Sequence, residues 1–436
     1  MTNQPLASIS KVISRATNIA LPLACAFMFG AVTNQPAQAR TFAVLYNFTG
    51  ADGGGPGGLV RDKAGNFYGT TVLGGTYGYG TVFELKPKAG GGWTEKLLHS
   101  FNWNGKDGAY PNANLAFDAA GNLYGTTQSG GSFNSCSAGC GTVFELTPKT
   151  GGWAEKVIHS FNGQDGDDPW GAGLIVDKSG NLYGTTFYGG SGTCSNESAD
   201  GCGTVFELHH KAGGGWSEKV LYDFQNGGSD GNYPHAGVIF DGAGNLYGTT
   251  VGGGTVGYGT VFKLMPTKVG TWTEKQLYNF NSNDGGGSPY DSLIFDSSGD
   301  LYGTVTGSGN CTSGNGCGSV FELTPKAVGS WTAKVLHKFN GTDGDNPEAS
   351  LLLDASGNLY GTTEAGGDEA CYGGCGVVFE LTQKASGAWT EKVLHDFNGI
   401  DGEAPSSLMF DSSGRLYGST YLGGTHRGGT VFELTP

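Results

Sequence analysis

Residues 114–161 alternate short apolar runs with polar, glycine-rich breaks. NLAFD (114–118) is followed by NLYGTT (122–127), GTVFELTP (141–148) and WAEKVIHSF (153–161). The second and fourth runs show apolar/polar alternation or enrichment in β-branched and aromatic residues, the pattern of half-buried strands. No stretch after residue 39 carries a helical period with caps. Four strands joined by tight turns are therefore predicted.

The same run of words returns along the chain. AAGNLYGTTQSGG (119–131) reappears as KSGNLYGTTFYGG (178–190), GAGNLYGTTVGGG (242–254) and ASGNLYGTTEAGG (355–367). The tyrosine of each YGT-like triplet marks seven copies: Tyr68, Tyr124, Tyr183, Tyr247, Tyr302, Tyr360 and Tyr417, spaced 55 to 64 residues apart. Between the first and second runs every copy holds an Asp and a Gly, as in Asp118/Gly121 and Asp177/Gly180. The Asp carboxylate can accept the turn's N–H groups and the Gly can take positive φ, so each sentence contains a hairpin.

Seven units of four antiparallel strands predict an all-β, seven-bladed β-propeller spanning residues 40–436. The chain ends fit closure. TFAVLYNF (41–48) matches a fourth run, and GTVFELTP (429–436) matches a third. The N-terminal strand is expected to complete the last blade, which removes two exposed sheet edges.

The consensus GNLYGTT..GG....GTVFEL.....W.EKVLH.F.G.DG..P resembles the Gloeo/Verruco (GloVer) tandem repeat of exported bacterial proteins, across residues 41–436. The resemblance implies an extracytoplasmic repeat domain, often joined to a surface anchor, and brings no established activity. This sequence stops at a strand, so no anchor is expected after it.

The first 39 residues read as an export signal. Lys11 and Arg15 precede the apolar run IALPLACAFMFGAV (19–32), and AQA (37–39) offers small residues for cleavage. The run is short for a membrane span, and no later run is long enough for one. Cys25 raises a lipid anchor, against which stands the poor lipoprotein signal of Pro22-Leu23-Ala24. A secreted or periplasmic location is expected. The formal charge is -15, and the two basic residues of the first segment leave -17 for the rest. Such a surface repels phosphate backbones, so nucleic acid is not an expected partner. A monomer is expected.

Eight of nine cysteines follow the signal, in close pairs: Cys136–Cys140, Cys194–Cys202, Cys311–Cys317 and Cys371–Cys375. Even number, local pairing and export predict four disulfides in the loop between second and third strands. Zinc fits poorly, because the spacings are wrong and no His accompanies each pair.

That loop and the one leading into the next blade share a face, and both are expected to ring the mouth of the central channel. The second loop reads FNG.DG..P. Its Asp-Gly is turn chemistry first. The extra acids of DGDDP and DGDNP make Asp165, Asp167, Asp343 and Asp345 weak calcium ligands, although nothing matches an EF-hand loop. No other cofactor is expected.

The residue after the loop proline breaks the repeat. It reads Gly57, Asn112, Trp170, His235, Tyr290, Glu348 and Ser406. A scaffold position should repeat with the scaffold, so this one is either unconstrained or specialised. With Tyr110, Tyr233 and Asp291 it offers rings for stacking on sugars and polar groups for their hydroxyls. The expected function is a non-enzymatic binding or interaction propeller for a glycan or other extracellular polymer. A polysaccharide lyase or hydrolase using acids such as Asp291 and Glu348 with His235 is the alternative, and a structural envelope protein is a third. Enzyme signals are thin. GGSDG (227–231) lacks the strand-to-helix elbow of a G-x-S-x-G nucleophile. His99, His159, His337 and His395 share a fourth-strand site with Tyr46, Tyr222 and Tyr278, which suggests packing between blades.

Overall fold

The computed structural model describes residues 40–132, 136–171, 173–194, 201–225, 227, 229–281, 288–307, 317–367 and 370–436. The expected export signal with Cys25, and Cys311, lie outside the described residues, as does Gly228 of the GGSDG stretch. Residues 40–436 make one compact unit.

Seven four-stranded antiparallel sheets form the unit, with no α-helix among the described residues. The second blade runs Ala116–Phe117, Leu123–Thr127, Thr142–Lys149 and Gly152–Ser160, paired in that order. The ring closes as the sequence predicts. Thr41–Asn47 pairs antiparallel with Thr430–Thr435, from Thr41 opposite Thr435 to Asn47 opposite Thr430. It carries a register shift between Val44 and Tyr46, as the other outer strands do near the same place. The seven-bladed propeller is thus completed by its N-terminal strand.

The innermost strands are shorter than the sequence pattern suggests, most of them two residues long. Proline has no N–H to give a ladder, and the residue before it turns the chain sharply. Tyr110, Asp168, Tyr233, Ser288, Asn346 and Ala404 all have φ between 54° and 61°. Backbone bonds hold this conformation from both sides. The Tyr233 N–H bonds the Cys202 carbonyl at 2.9 Å, and the Val251 N–H bonds the Tyr233 carbonyl at 3.0 Å. Gly203, at φ 92°, completes the corner, since a Cβ there would meet Pro234 Cδ at 2.5 Å. Each blade therefore keys into the next through a glycine seated on a proline.

The repeated words have identifiable tasks. In Asp118, Oδ1 accepts the N–H groups of Ala120 and Asn122, each at 2.8 Å, and closes the hairpin. The Tyr124 hydroxyl bonds Asp118 and Glu145, tying the second strand to the third. The glycine of YGT leaves room for the phenylalanine of VFEL: a Cβ on Gly184 would lie 2.7 Å from the Phe206 ring. Seven apolar clusters result, each shared by adjacent blades; the one joining the last blade to the first contains Phe48, Phe83, Tyr417 and Val431.

Polar groups also cross these seams. Where sequence suggested simple packing between blades, the fourth-strand His or Tyr reaches the Asp of the following loop. His99 meets Asp107 at 3.2 Å, His337 meets Asp343 at 3.1 Å, and the Tyr46 hydroxyl donates to Asp52 at 2.6 Å. Imidazole and phenol both span that gap, which explains their exchange. Near them Glu95, Glu155, Glu218, Glu274 and Glu391 each keep one buried oxygen without a hydrogen-bond partner.

Candidate functional site in the central cavity

The loops that precede the innermost strands converge on one cavity of about 390 Å³. All seven residues that follow the loop prolines line it: Gly57, Asn112, Trp170, His235, Tyr290, Glu348 and Ser406. Asp291 lines it too. The frame repeats around the ring while the lining does not. Among these post-proline residues and Asp291, aromatic groups come from the third to fifth blades, acids from the fifth and sixth, and small residues from the seventh and first.

Three rings form a continuous edge. The Trp170 and His235 centroids are 5.5 Å apart, and those of His235 and Tyr290 are 5.1 Å apart. Trp170 keeps 40% of its surface exposed. His235 Nδ1 lies 2.9 Å from the Tyr290 carbonyl, which fixes the imidazole. Gly171, at φ 71°, passes beneath it; a Cβ there would sit 2.7 Å from His235 Cε1.

Burial sets the electrostatics. It holds the His235 imidazole below its ordinary value despite the Tyr290 carbonyl, so the ring stays neutral at neutral pH. It pushes Asp291 up to about 6, against the bonds from Ser350 and Ser292. Glu348 rises to about 7 through burial and then through the charges of Glu364 and Asp291. Its side chain still meets solvent at the wall of the cavity. Tyr290 is raised by burial and by Glu348. No Lys or Arg is among the described residues of the lining.

Two residues singled out with this group do not line the cavity. Tyr110 and Tyr233 are the sharply turned pre-proline residues, and their rings pack elsewhere. Tyr110 meets Tyr79 edge-on at 5.8 Å, and Tyr233 stacks on Phe187 at 5.2 Å. The cysteine loops do not line it either. They border two separate clefts, one lined by Cys136 and Asp167, the other by Cys371 and Tyr372. Cys136–Cys140, Cys194–Cys202 and Cys371–Cys375 are disulfides. In the remaining pair Cys317 is disulfide-bonded, and its expected partner Cys311 is not described.

The four acids considered for calcium lie apart in role. Asp165 and Asp343 hold their own loops, taking bonds from Asn162 and Asn340; His337 also meets Asp343 at 3.1 Å, and His159 Nε2 lies 3.3 Å from Asp165. Asp345 is buried, and one of its oxygens has no partner. Asp167 lies near Cys136, whose sulfur is committed to a disulfide. Among the described residues, no group of three or more potential ligands contains more than one of the four.

A second ring was missed by sequence reasoning. Val72, Gln128, Glu364 and Tyr421, in or just past the ends of the second strands, also line the cavity, together with Asn114. The same signal marks them: the residue after YGTT or its equivalent varies while its neighbours repeat.

Fold and cavity define a seven-bladed propeller with an irregular pocket at its axis. A family model described as Gloeobacter/Verrucomicrobia repeat matches residues 29–193, 191–369 and 312–436, and the chain belongs to that family. No curated protein matches the sequence. Among solved structures, the chain is similar to a protein of unknown function from Dyadobacter fermentans. The two share 13% identity at a TM-score of 0.45, over 90% of this chain and 98% of that one. It is also similar to a Thermus thermophilus protein described as a putative oxidoreductase (glucose dehydrogenase). Here identity is 16% and TM-score 0.43, over 74% of this chain and 96% of that one.

Proposed function

We propose that the protein is an exported binding propeller that holds a glycan or similar extracellular polymer in the central cavity. One observation carries this reading: seven unrepeated residues, one per blade, meet in a single pocket built on an otherwise repeated frame. Its volume falls in the range of small-ligand sites. The Trp170–His235–Tyr290 edge suits the faces of sugar rings. Asn112, Asn114 and Gln128 supply amide groups for hydroxyls. The disulfides fit an oxidising compartment outside the cytoplasm.

Binding to immobilised oligosaccharides, followed by titration of the best one, tests the proposal. Trp170→Ala is expected to weaken binding at least tenfold, about 1.4 kcal/mol, with only a small loss in melting temperature, because 40% of the residue's surface is already exposed. Undiminished binding by that variant would remove the cavity from the account.

The raised carboxyls of Asp291 and Glu348 favour a second reading, general acid/base cleavage of a polysaccharide. It requires new reducing ends or unsaturated sugars on incubation, abolished in Glu348→Gln. Binding without either product leaves the first reading standing.

A further inference from the structure

The lining is one-sided in charge. Asp291, Glu348 and Glu364 are present, and among the described lining residues there is no Lys or Arg. The one basic side chain, His235, is kept neutral by burial. The acids adjoin the aromatic edge, since Tyr290 and Glu348 follow the prolines of neighbouring blades and Glu348 bears on the Tyr290 hydroxyl. Tyr421 adds a further ring. Carboxylates beside ring faces form the environment that attracts organic ammonium groups, through charge and through the ring quadrupole. A neutral sugar gains only hydroxyl hydrogen bonds from three acids, with no charge attraction, and a carboxylated one is repelled. The remainder of the chain, at -17, draws cations toward the pocket from a distance.

We propose that the ligand of the central cavity is cationic: a glycan bearing amino groups, its ammonium set against Glu348 and Glu364 and its ring against Trp170 and Tyr290. This rests on reading the cavity as a glycan site and adds the charge of the glycan. The amides of Asn112, Asn114 and Gln128, from the second blade, face the hydroxyls.

The raised carboxyl of Glu348 gives the site a pH signature. A cation favours the ionised form, so binding draws the proton from Glu348, and affinity for a permanently charged ligand climbs as pH rises through about 7. The charged groups that act on Glu348 are Glu364 and Asp291, and Glu348 in turn raises the Tyr290 hydroxyl.

Calorimetric titration with three probes tests the inference: N-acetylglucosamine oligomers, glucosamine oligomers of equal length with the nitrogen quaternised, and tetramethylammonium. The quaternised oligomer is expected to bind about tenfold or more tightly than the acetylated one at about pH 8, with the preference shrinking at about pH 6. Glu348→Gln and, separately, Glu364→Gln should reduce that preference to about two- or threefold. Equal or weaker binding of the quaternised oligomer, with the acetylated one still bound, overturns the cation and leaves the glycan reading intact. Tetramethylammonium bound in a Glu348-dependent way, with neither oligomer bound, overturns the glycan reading and keeps the charge. Binding of none of the three overturns both.

Discussion

Deletion of residues 40–48 is expected to destabilise the protein by at least about 5 kcal/mol, judged from the apolar surface and hydrogen bonds lost. This stretch supplies the outer strand of the last blade, paired along Thr430–Thr435. Phe48 is fully buried against Phe83 at the closing seam. Phe42 stacks face to face on His395 at 3.6 Å. The loss also bares the ladder edge of Thr430–Thr435, an invitation to association. A domain's whole stability is of the same order, so the truncated chain should aggregate or lose its cooperative melt. Moving residues 40–48 behind Pro436 through a flexible linker should restore the transition, because the strand then pairs in the same place. A truncated protein that melts like the intact one would contradict closure by the N-terminal strand.

The second large effect is on stability as a function of pH. Glu95, Glu155, Glu218, Glu274 and Glu391 occupy one site in the fourth strands. Burial raises each carboxyl to about 7, and a loop aspartate adds to it: Asp52, Asp107, Asp165, Asp230 and Asp343 respectively. His99 and His337 oppose the rise at Glu155 and Glu391. The folded values exceed the ordinary glutamate value of 4.5, so folding favours the protonated form. Their stabilisation is complete below about 4.5 and is lost as pH climbs through about 7. After allowance for solvent contact, each contributes about 1 kcal/mol, and the five together several. At Asp62, Asp241 and Asp411 burial alone would raise the carboxyl, but the turn hydrogen bonds outweigh it and hold each below its ordinary value. Those turns lose stability only as pH falls through the folded values. Maximum stability is therefore expected in mild acid. Melting temperature should be several degrees higher at about pH 5.5 than at about pH 8.5, and a combined Glu155→Gln, Glu218→Gln and Glu274→Gln variant should flatten the slope. A profile that rises toward alkaline pH would refute this view of the seams.

Much of the frame is legible in the amino-acid sequence because repetition averages away local ambiguity. One copy of NLYGTT is a weak strand signal. Seven copies at a near-constant period, with a stray fourth-strand segment at the start, specify blade number and closure. The Asp118 turn is equally legible, since its chemistry is local. Features that depend on how blades approach one another are less so. The strain at Tyr110 and Tyr233 arises where the preceding blade's carbonyl meets their N–H, so two residues that look like exposed aromatic ligands serve as corners. The alternation of His with Tyr reads as packing until Asp107 and Asp52 are seen opposite the rings. The varying residue after each loop proline is visible from its neighbours' constancy. The companion ring of Gln128, Glu364 and Tyr421 carried the same sign, some fifteen residues further along each copy, but only the turn of the sheets shows that both rings share one pocket.

The repeated residues build a frame, and the proposed ligand site is made of the unrepeated ones at its axis. The most direct test is a crystal of the intact protein grown with the tightest-binding oligosaccharide from the panel. The account predicts density in the central cavity, stacked on Trp170 and Tyr290 and within hydrogen-bond reach of Asn112 or Glu348. Density confined to the cysteine-loop clefts or to the opposite face, with the cavity empty, would contradict it.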